Sequence, residues 1–406
     1  MFYYISFLRP PPCQALPTSP IRITPQIAND LRTELFDGSQ DIYFSWSLAN
    51  DNSPTSQTTK PTKLTTWRQE NAYKEMTVPL PPKTREGQTW RLILSPTSDM
   101  RIYGIDLEGK VENLGKQPFS VISKPILFTK FAGKSLGKQE QIERLYRFSM
   151  ETPSQGVPGG EVTLRITEQT SFDLDKKVWD SGIGLSFWLI NLAAKQVGAE
   201  ESGNVHDLFS PSPLRILELG AGTGIVSLVL SALRSGVLTS PSEPEHEENC
   251  NCIITTDLPS AMPLLEHNIS SNSHLFLNPT YSAPTPKVLD WDEDLPEFTQ
   301  KIPGNLDFIL MADVTYNTSS FPALIRTLSS LISLNRTEDP PVIIMGYKER
   351  DPAERSLWNM VQEIGIRFNK VAEVPGAGGT PIEIWIGKVI TKIKHDRNET
   401  EKKHYY

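Results

Sequence analysis

One stretch of the chain has the residue types and spacing for binding chemistry: Ile216-Leu217-Glu218-Leu219-Gly220-Ala221-Gly222-Thr223-Gly224, an apolar run that meets an acid and then three alternate glycines. Glycine lets the backbone turn sharply at a strand end and leaves room for a ligand to lie against the main chain. In a doubly wound sheet, ligands bind outside the carboxyl ends of the strands, where the strand order reverses. Gly220 and Gly222 are therefore candidate binding residues. Their G-x-G-x-G spacing stops short of the third glycine of the G-x-G-x-x-G dinucleotide fingerprint.

Glu218, two residues before the first glycine, is unsuited to a pyrophosphate but suits the methionine ammonium of S-adenosylmethionine. Asp257 closes the next apolar strand, where a carboxylate can accept hydrogen bonds from both ribose hydroxyls. Leu289-Asp290-Trp291 follows. A purine needs an apolar face and an acceptor for its exocyclic amine, which Trp291 and Asp290 would supply. The fourth strand ends in Ala312 and runs into Asp313-Val314-Thr315-Tyr316-Asn317, a polar cluster on the same edge. Plainer readings of these residues stay open: a tight turn without ligand, Asp257 or Asp313 as helix caps, and Trp291 or Tyr316 as core.

These residues need a sheet to hold them. From Glu161 onward, strand-like and helix-like segments alternate, which implies an α/β sheet with helices on both faces. A strand at Glu161–Ile166 comes first; after the helix that follows it, the seven alternating strands are Arg215–Leu219, Cys252–Thr256, Lys287–Trp291, Leu306–Ala312, Val342–Gly346, Phe368–Val374 and Ile382–Val389. Helices are expected at Ile183–Gln196, Ile225–Leu233, Ser260–Ser271, Ser320–Leu334 and Pro352–Ile364. The last two strands are joined only by Pro375–Pro381, so they form an antiparallel hairpin. Insertions fall at Gly198–Pro213 and Ser235–Asn251, the second acidic and read as solvated loop. Residues 1–160 carry short alternating segments (Ile42–Trp46, Thr89–Leu94, Met100–Ile105) and a Ser/Thr/Pro-rich loop, Asn50–Lys63. They read as a β-containing extension, with Met1–Leu8 a strand rather than a leader. Residues 391–406 form a charged tail.

Four separated motifs carry a family resemblance: Val178-Trp179-Asp180-Ser181-Gly182, Glu218–Gly224, Leu289–Trp291 and Ala312–Asn317. Together they resemble the seven-β-strand, class I protein-lysine methyltransferases over about Glu161 to Ile390. The resemblance implies a Rossmann-like seven-stranded sheet and S-adenosylmethionine as cofactor, contacted by Trp179, Gly220, Asp257 and Trp291. It also puts Asp313 and Tyr316 at the junction of cofactor and acceptor. The extension, with Tyr3–Pro12, is similar to fungal members acting on translation elongation factors two and three. A lysine amine would attack the methyl group in line, so catalysis would consist mainly of positioning. Asp313 would orient the ammonium and Tyr316 pack along its stem. The acceptor is then a protein, and a monomer is expected.

Other features bound the reading. The net charge of -8 lacks the basic excess of nucleic-acid binders. Three cysteines offer no disulfide framework, and with no apolar span the expected location is cytoplasmic, without membrane attachment. Cys250, Cys252 and His246 are too few for a metal site, and no metal is expected. Tyr347-Lys348-Glu349-Arg350 ends the fifth strand at the active edge, either shaping the acceptor rim or forming a solvated charge cluster. A small-molecule methyltransferase and a non-catalytic, cofactor-binding interaction protein remain the competing functions.

Overall fold

The predicted alternation produces a seven-stranded sheet: β1 (Arg215–Leu219), β2 (Cys252–Asp257), β3 (Pro284–Val288), β4 (Phe308–Ala312), β5 (Val342–Lys348), β6 (Ile366–Val374) and β7 (Ile382–Val389), in the order 3-2-1-4-5-7-6. The computed structural model describes residues 1–49, 58–99, 104–130, 137–150, 160–170, 174–194, 203–237, 252–276, 283–302, 305–335 and 339–390. The expected tail, the acidic part of the second insertion, Cys250 and His246 lie outside these residues. β1 pairs in parallel with both β2 and β4, which makes it the switch point of the sheet. β7 runs antiparallel to both β5 and β6, as the short Pro375–Pro381 link requires.

Five helices of the described residues cover the sheet: α1 (Asp180–Ala193), α2 (Ile225–Val237), α3 (Met262–Ser271), α4 (Phe321–Leu334) and α5 (Ser356–Glu363). Alternation along the strands sorts the two faces. Leu217, Leu219, Ile309, Met311, Ile343 and Met345 meet α4 and α5. Ile216, Phe308, Leu310, Ile344 and Ile384 share a second core with α1 and α2. On α4, Leu324, Leu328 and Leu331 recur at helical spacing and are fully buried; each contributes roughly 1.5–3 kcal/mol. α2 is enclosed by packing: its apolar residues, from Ile225 and Val226 to Ala232 and Leu233, are buried, and so is a polar stripe of Ser227, Ser231, Arg234 and Ser235 at helical spacing.

The extension is an all-β layer. Tyr4–Arg9, Ile21–Ala28 and Met76–Val78 form a three-stranded antiparallel sheet. A nine-stranded sheet includes Gln40–Leu48, Thr89–Ser95, Gln141–Met150 and Gly160–Gln169. The two share a core of Ile5, Phe7, Ile23, Ile27, Trp46, Trp67, Leu92 and Phe128. Of the expected Met100–Ile105 strand only Gly104–Asp106 is described.

Three expectations shift. The strand expected at Glu161–Ile166 is longer, Gly160–Gln169, and pairs along its length with Gln141–Met150 of the N-terminal sheet. The third strand ends at Val288, earlier than expected, so Leu289, Asp290 and Trp291 lie beyond its carboxyl end. The helix expected from Pro352 begins as a separate 3-10 turn, Pro352–Arg355, because Asp351 caps it by accepting from the Ala353 N–H at 2.8 Å.

Candidate active site

The turn after β1 places Gly220 at φ 67° and Gly224 at φ 80°, both in the left-handed region. A Cβ on Gly220 would sit 3.1 Å from Val314 Cγ1 and 3.3 Å from the Trp291 ring. At Gly224 it would come within 2.5 Å of Leu265 Cδ1 on α3, so the third glycine lets α3 close on the turn. Asp257 fastens the turn from the neighbouring strand: Gly222 N donates to Oδ2 at 2.6 Å and Leu258 N to Oδ1 at 2.7 Å. Burial pushes the Asp257 carboxyl above its ordinary value, while these two N–H groups work against that shift. Each oxygen keeps a lone pair for a further donor.

Around this turn opens a cleft with about 820 Å3 of empty space, its open mouth included. It lies at the carboxyl ends of β1 to β4, the edge expected for a ligand in such a sheet. Trp179, Gly220, Gly222, Asp257, Asp290, Trp291, Ala312, Asp313 and Tyr316 all line it. Trp291 is only partly buried and forms a wall rather than core. Asp175, Leu258, Asp292 and Ser320 also line the cleft. No local motif marks Asp175; it reaches the site because Ser260 Oγ donates to it at 2.7 Å across the mouth.

Glu218 is the exception. Alternation turns its side chain with Ile216 toward α2, away from the cleft, and it is 2% exposed. Ser227 Oγ and Thr255 Oγ1 donate to its carboxylate, the latter at 2.9 Å. Burial pushes its pKa up to about 7. Expected as partner of a ligand ammonium, Glu218 stands outside the lining of the cleft as a buried carboxylate that ties β1 to β2 and α2.

Asp313 has a partner that the residue types alone did not reveal. Its backbone is left-handed, φ 61°, with Asp313 N donating to Gly346 O on β5 at 3.1 Å. Both carboxylate oxygens accept from the Arg350 guanidinium, Nη2 to Oδ2 at 2.7 Å and Nη1 to Oδ1. Arg350 also donates to Asp30 at 2.9 Å and lies 5.3 Å from the centre of the Trp179 ring. Asp313 therefore meets the cleft as one half of an ion pair. Lys348, 4% exposed, is buried and Arg350 is partly buried, both in ion pairs, which excludes the solvated-cluster reading of Tyr347–Arg350. Tyr316 is 54% exposed at the mouth, not core, and burial with the nearby Asp257 and Asp175 raises its phenol pKa.

These residues fit S-adenosylmethionine. Gly220 and Gly222 leave bare main chain where the methionine part would lie, Asp257 has acceptor capacity for ribose hydroxyls, and Trp291 with Leu289 and Asp290 offers a purine an apolar face and an acceptor. The sequence model of a family described as "Lysine methyltransferase" matches residues 160–364, just over half of the chain. The chain belongs to the lysine methyltransferase family. Among similar family proteins, protein-lysine N-methyltransferase EFM6 of Saccharomyces cerevisiae is 29% identical over 153 residues, 36% of this chain and 55% of that protein. EEF1A lysine methyltransferase 3 of Mus musculus is 34% identical over 173 residues, 43% of this chain and 57% of its own. A solved SAM-dependent methyltransferase from Agrobacterium tumefaciens aligns over 64% of this chain and 72% of its own, with TM-score 0.36 and 13% identity. The chain spans about half the length of the first curated relatives it matches. No described helix is long and apolar enough to cross a membrane.

Proposed function

We propose that the protein transfers a methyl group from S-adenosylmethionine to a lysine side chain of a protein, with translation elongation factor 1A the first candidate. The observation that carries this reading is the cleft at the switch point, with the glycine turn on one side and Asp313 and the exposed Tyr316 on the other. The names of family relatives that act on EEF1A support the candidate substrate.

The cofactor supplies an electrophilic methyl on a sulfonium. The chain supplies position. Gly220 and Gly222 admit the methionine part against the backbone, and the Asp257 carboxylate accepts from the ribose. On the acceptor side, a lysine arrives as an ammonium with an ordinary pKa near ~10.4. A lone carboxylate would hold that proton on. Pairing with Arg350 weakens the hold of Asp313 on that proton, which leaves to water, and the free amine is the nucleophile. Tyr316, half exposed, is placed to pack along the methylene stem.

Transfer of tritium from labelled S-adenosylmethionine to purified elongation factor 1A and to a whole-cell protein extract tests the proposal, comparing wild type with Gly220→Arg. A labelled protein band lost in the variant is expected, with methyl-lysine after hydrolysis. Label confined to small molecules or RNA, or no label at all, would overturn it.

A further inference from the structure

Asp30 and the catalytic-edge residues meet in one buried ion network. Asp30 follows the N-terminal strand Ile21–Ala28, and its side chain is fully enclosed. Its carboxylate accepts from Lys348 Nζ at 3.1 Å, from Arg350 Nη2 at 2.9 Å and from Asp180 N at 3.4 Å. Asp180, at the first turn of α1, accepts from Phe2 N at 2.9 Å, Tyr4 Oη at 2.6 Å and Lys348 Nζ at 2.8 Å. Asp180 adjoins Trp179, and Arg350 grips Asp313, so both cleft residues are held through Asp30's partners.

Buried ion pairs give little net stability compared with apolar packing of the same volume. They do supply direction. A guanidinium fork held by two carboxylates, with the Trp179 ring beside it, has one orientation left. We propose that Asp30, supplied by the N-terminal layer, is a positioning residue for methyl transfer: it fixes Arg350 against Asp313 and so sets the acceptor side of the cleft. This rests on reading the cleft as a methyl-transfer site. It also gives the extension a task, because the acceptor side is incomplete without it.

The test uses the full chain. Asp30→Asn leaves Asp180 and Asp313 facing Lys348 and Arg350, so charges in the network balance and the fold is retained. The expected result is kcat lower by roughly 10- to 100-fold, with KM for the cofactor nearly unchanged and faster amide hydrogen exchange at residues 313–316. Because Asp30 acts through Arg350, Asp30→Asn/Arg350→Gln should be no slower than Arg350→Gln alone. If Asp30→Asn unfolds, Arg350→Lys, which keeps the charge and loses the fork, should loosen the same amides. Wild-type kcat in Asp30→Asn, a double variant equal to the product of the singles, or unchanged exchange at 313–316 in the folded variant tested would overturn the proposal. A wild-type protein that transfers no methyl overturns the methyltransferase reading as well, which separates the two failures.

Discussion

Replacing Glu218 by Gln should stabilise the protein at high pH and leave it unchanged at low pH. Folding carries this carboxyl from its ordinary 4.5 up to about 7, chiefly because burial disfavours the charged form. Between those values the folded state binds the proton more tightly than the unfolded one, so stability falls as pH rises. At about 1.4 kcal/mol per pH unit, ionising the buried group costs about 3 kcal/mol above pH 7. Gln keeps the shape and an acceptor oxygen for Ser227 and Thr255 without ever ionising. Urea midpoints at pH 5, 6, 7 and 8.5 on both proteins test this, and the difference between the curves removes the contribution of every other group. The expected gap is about 1 kcal/mol at pH 5, where the unfolded carboxyl is already largely ionised, and grows to about 3 kcal/mol at pH 8.5. Parallel curves, or a gap that shrinks with pH, would refute the account. Cofactor affinity should be unaltered, since the side chain lies outside the cleft.

Gly220→Ala should weaken S-adenosylmethionine binding by at least roughly tenfold, or about 1.4 kcal/mol, because its Cβ crowds Val314 and Trp291; calorimetry giving wild-type affinity would contradict the placement. Gly224→Ala should cost about 2–4 kcal/mol from left-handed backbone and overpacking against Leu265, read as a lower urea midpoint. Lys348→Met leaves Asp180 in the interior without its cation and Asp30 with Arg350 alone, and should cost roughly 3–5 kcal/mol, measured the same way. Tyr316→Ala should change stability by less than ~0.5 kcal/mol while raising KM for the protein substrate.

Much of the sheet was legible because its signals are local. β1 and β7 begin and end where their apolar runs do, and the link Pro375–Pro381 is too short for a parallel crossover. The glycine turn was legible because positive φ selects glycine. Glu218 shows where type and spacing fall short: a strand residue projects sideways, and alternation with Leu217 and Leu219 already assigns it to the face of Ile216. Asp313 shows a different limit. Its partner Arg350 lies 37 residues on, and Asp30 is 320 residues from Arg350, so no window of sequence holds the network. The strand at Gly160–Gln169 was legible as a strand but its sheet was not, because alternation reports a half-buried strand without naming the sheet it joins.

The long reach of Asp30 has a kinetic consequence. Contacts between residues so far apart in the chain form only after a large loop closes, and the entropy of closure is spent before the contact returns any energy. The glycine turn and the parallel strands around it draw on much nearer neighbours. A refolding chain should therefore gain a pocket for the cofactor before it gains an ordered acceptor wall. Stopped-flow refolding followed by cofactor binding and by methyl transfer would show two phases, with competence for transfer arriving last.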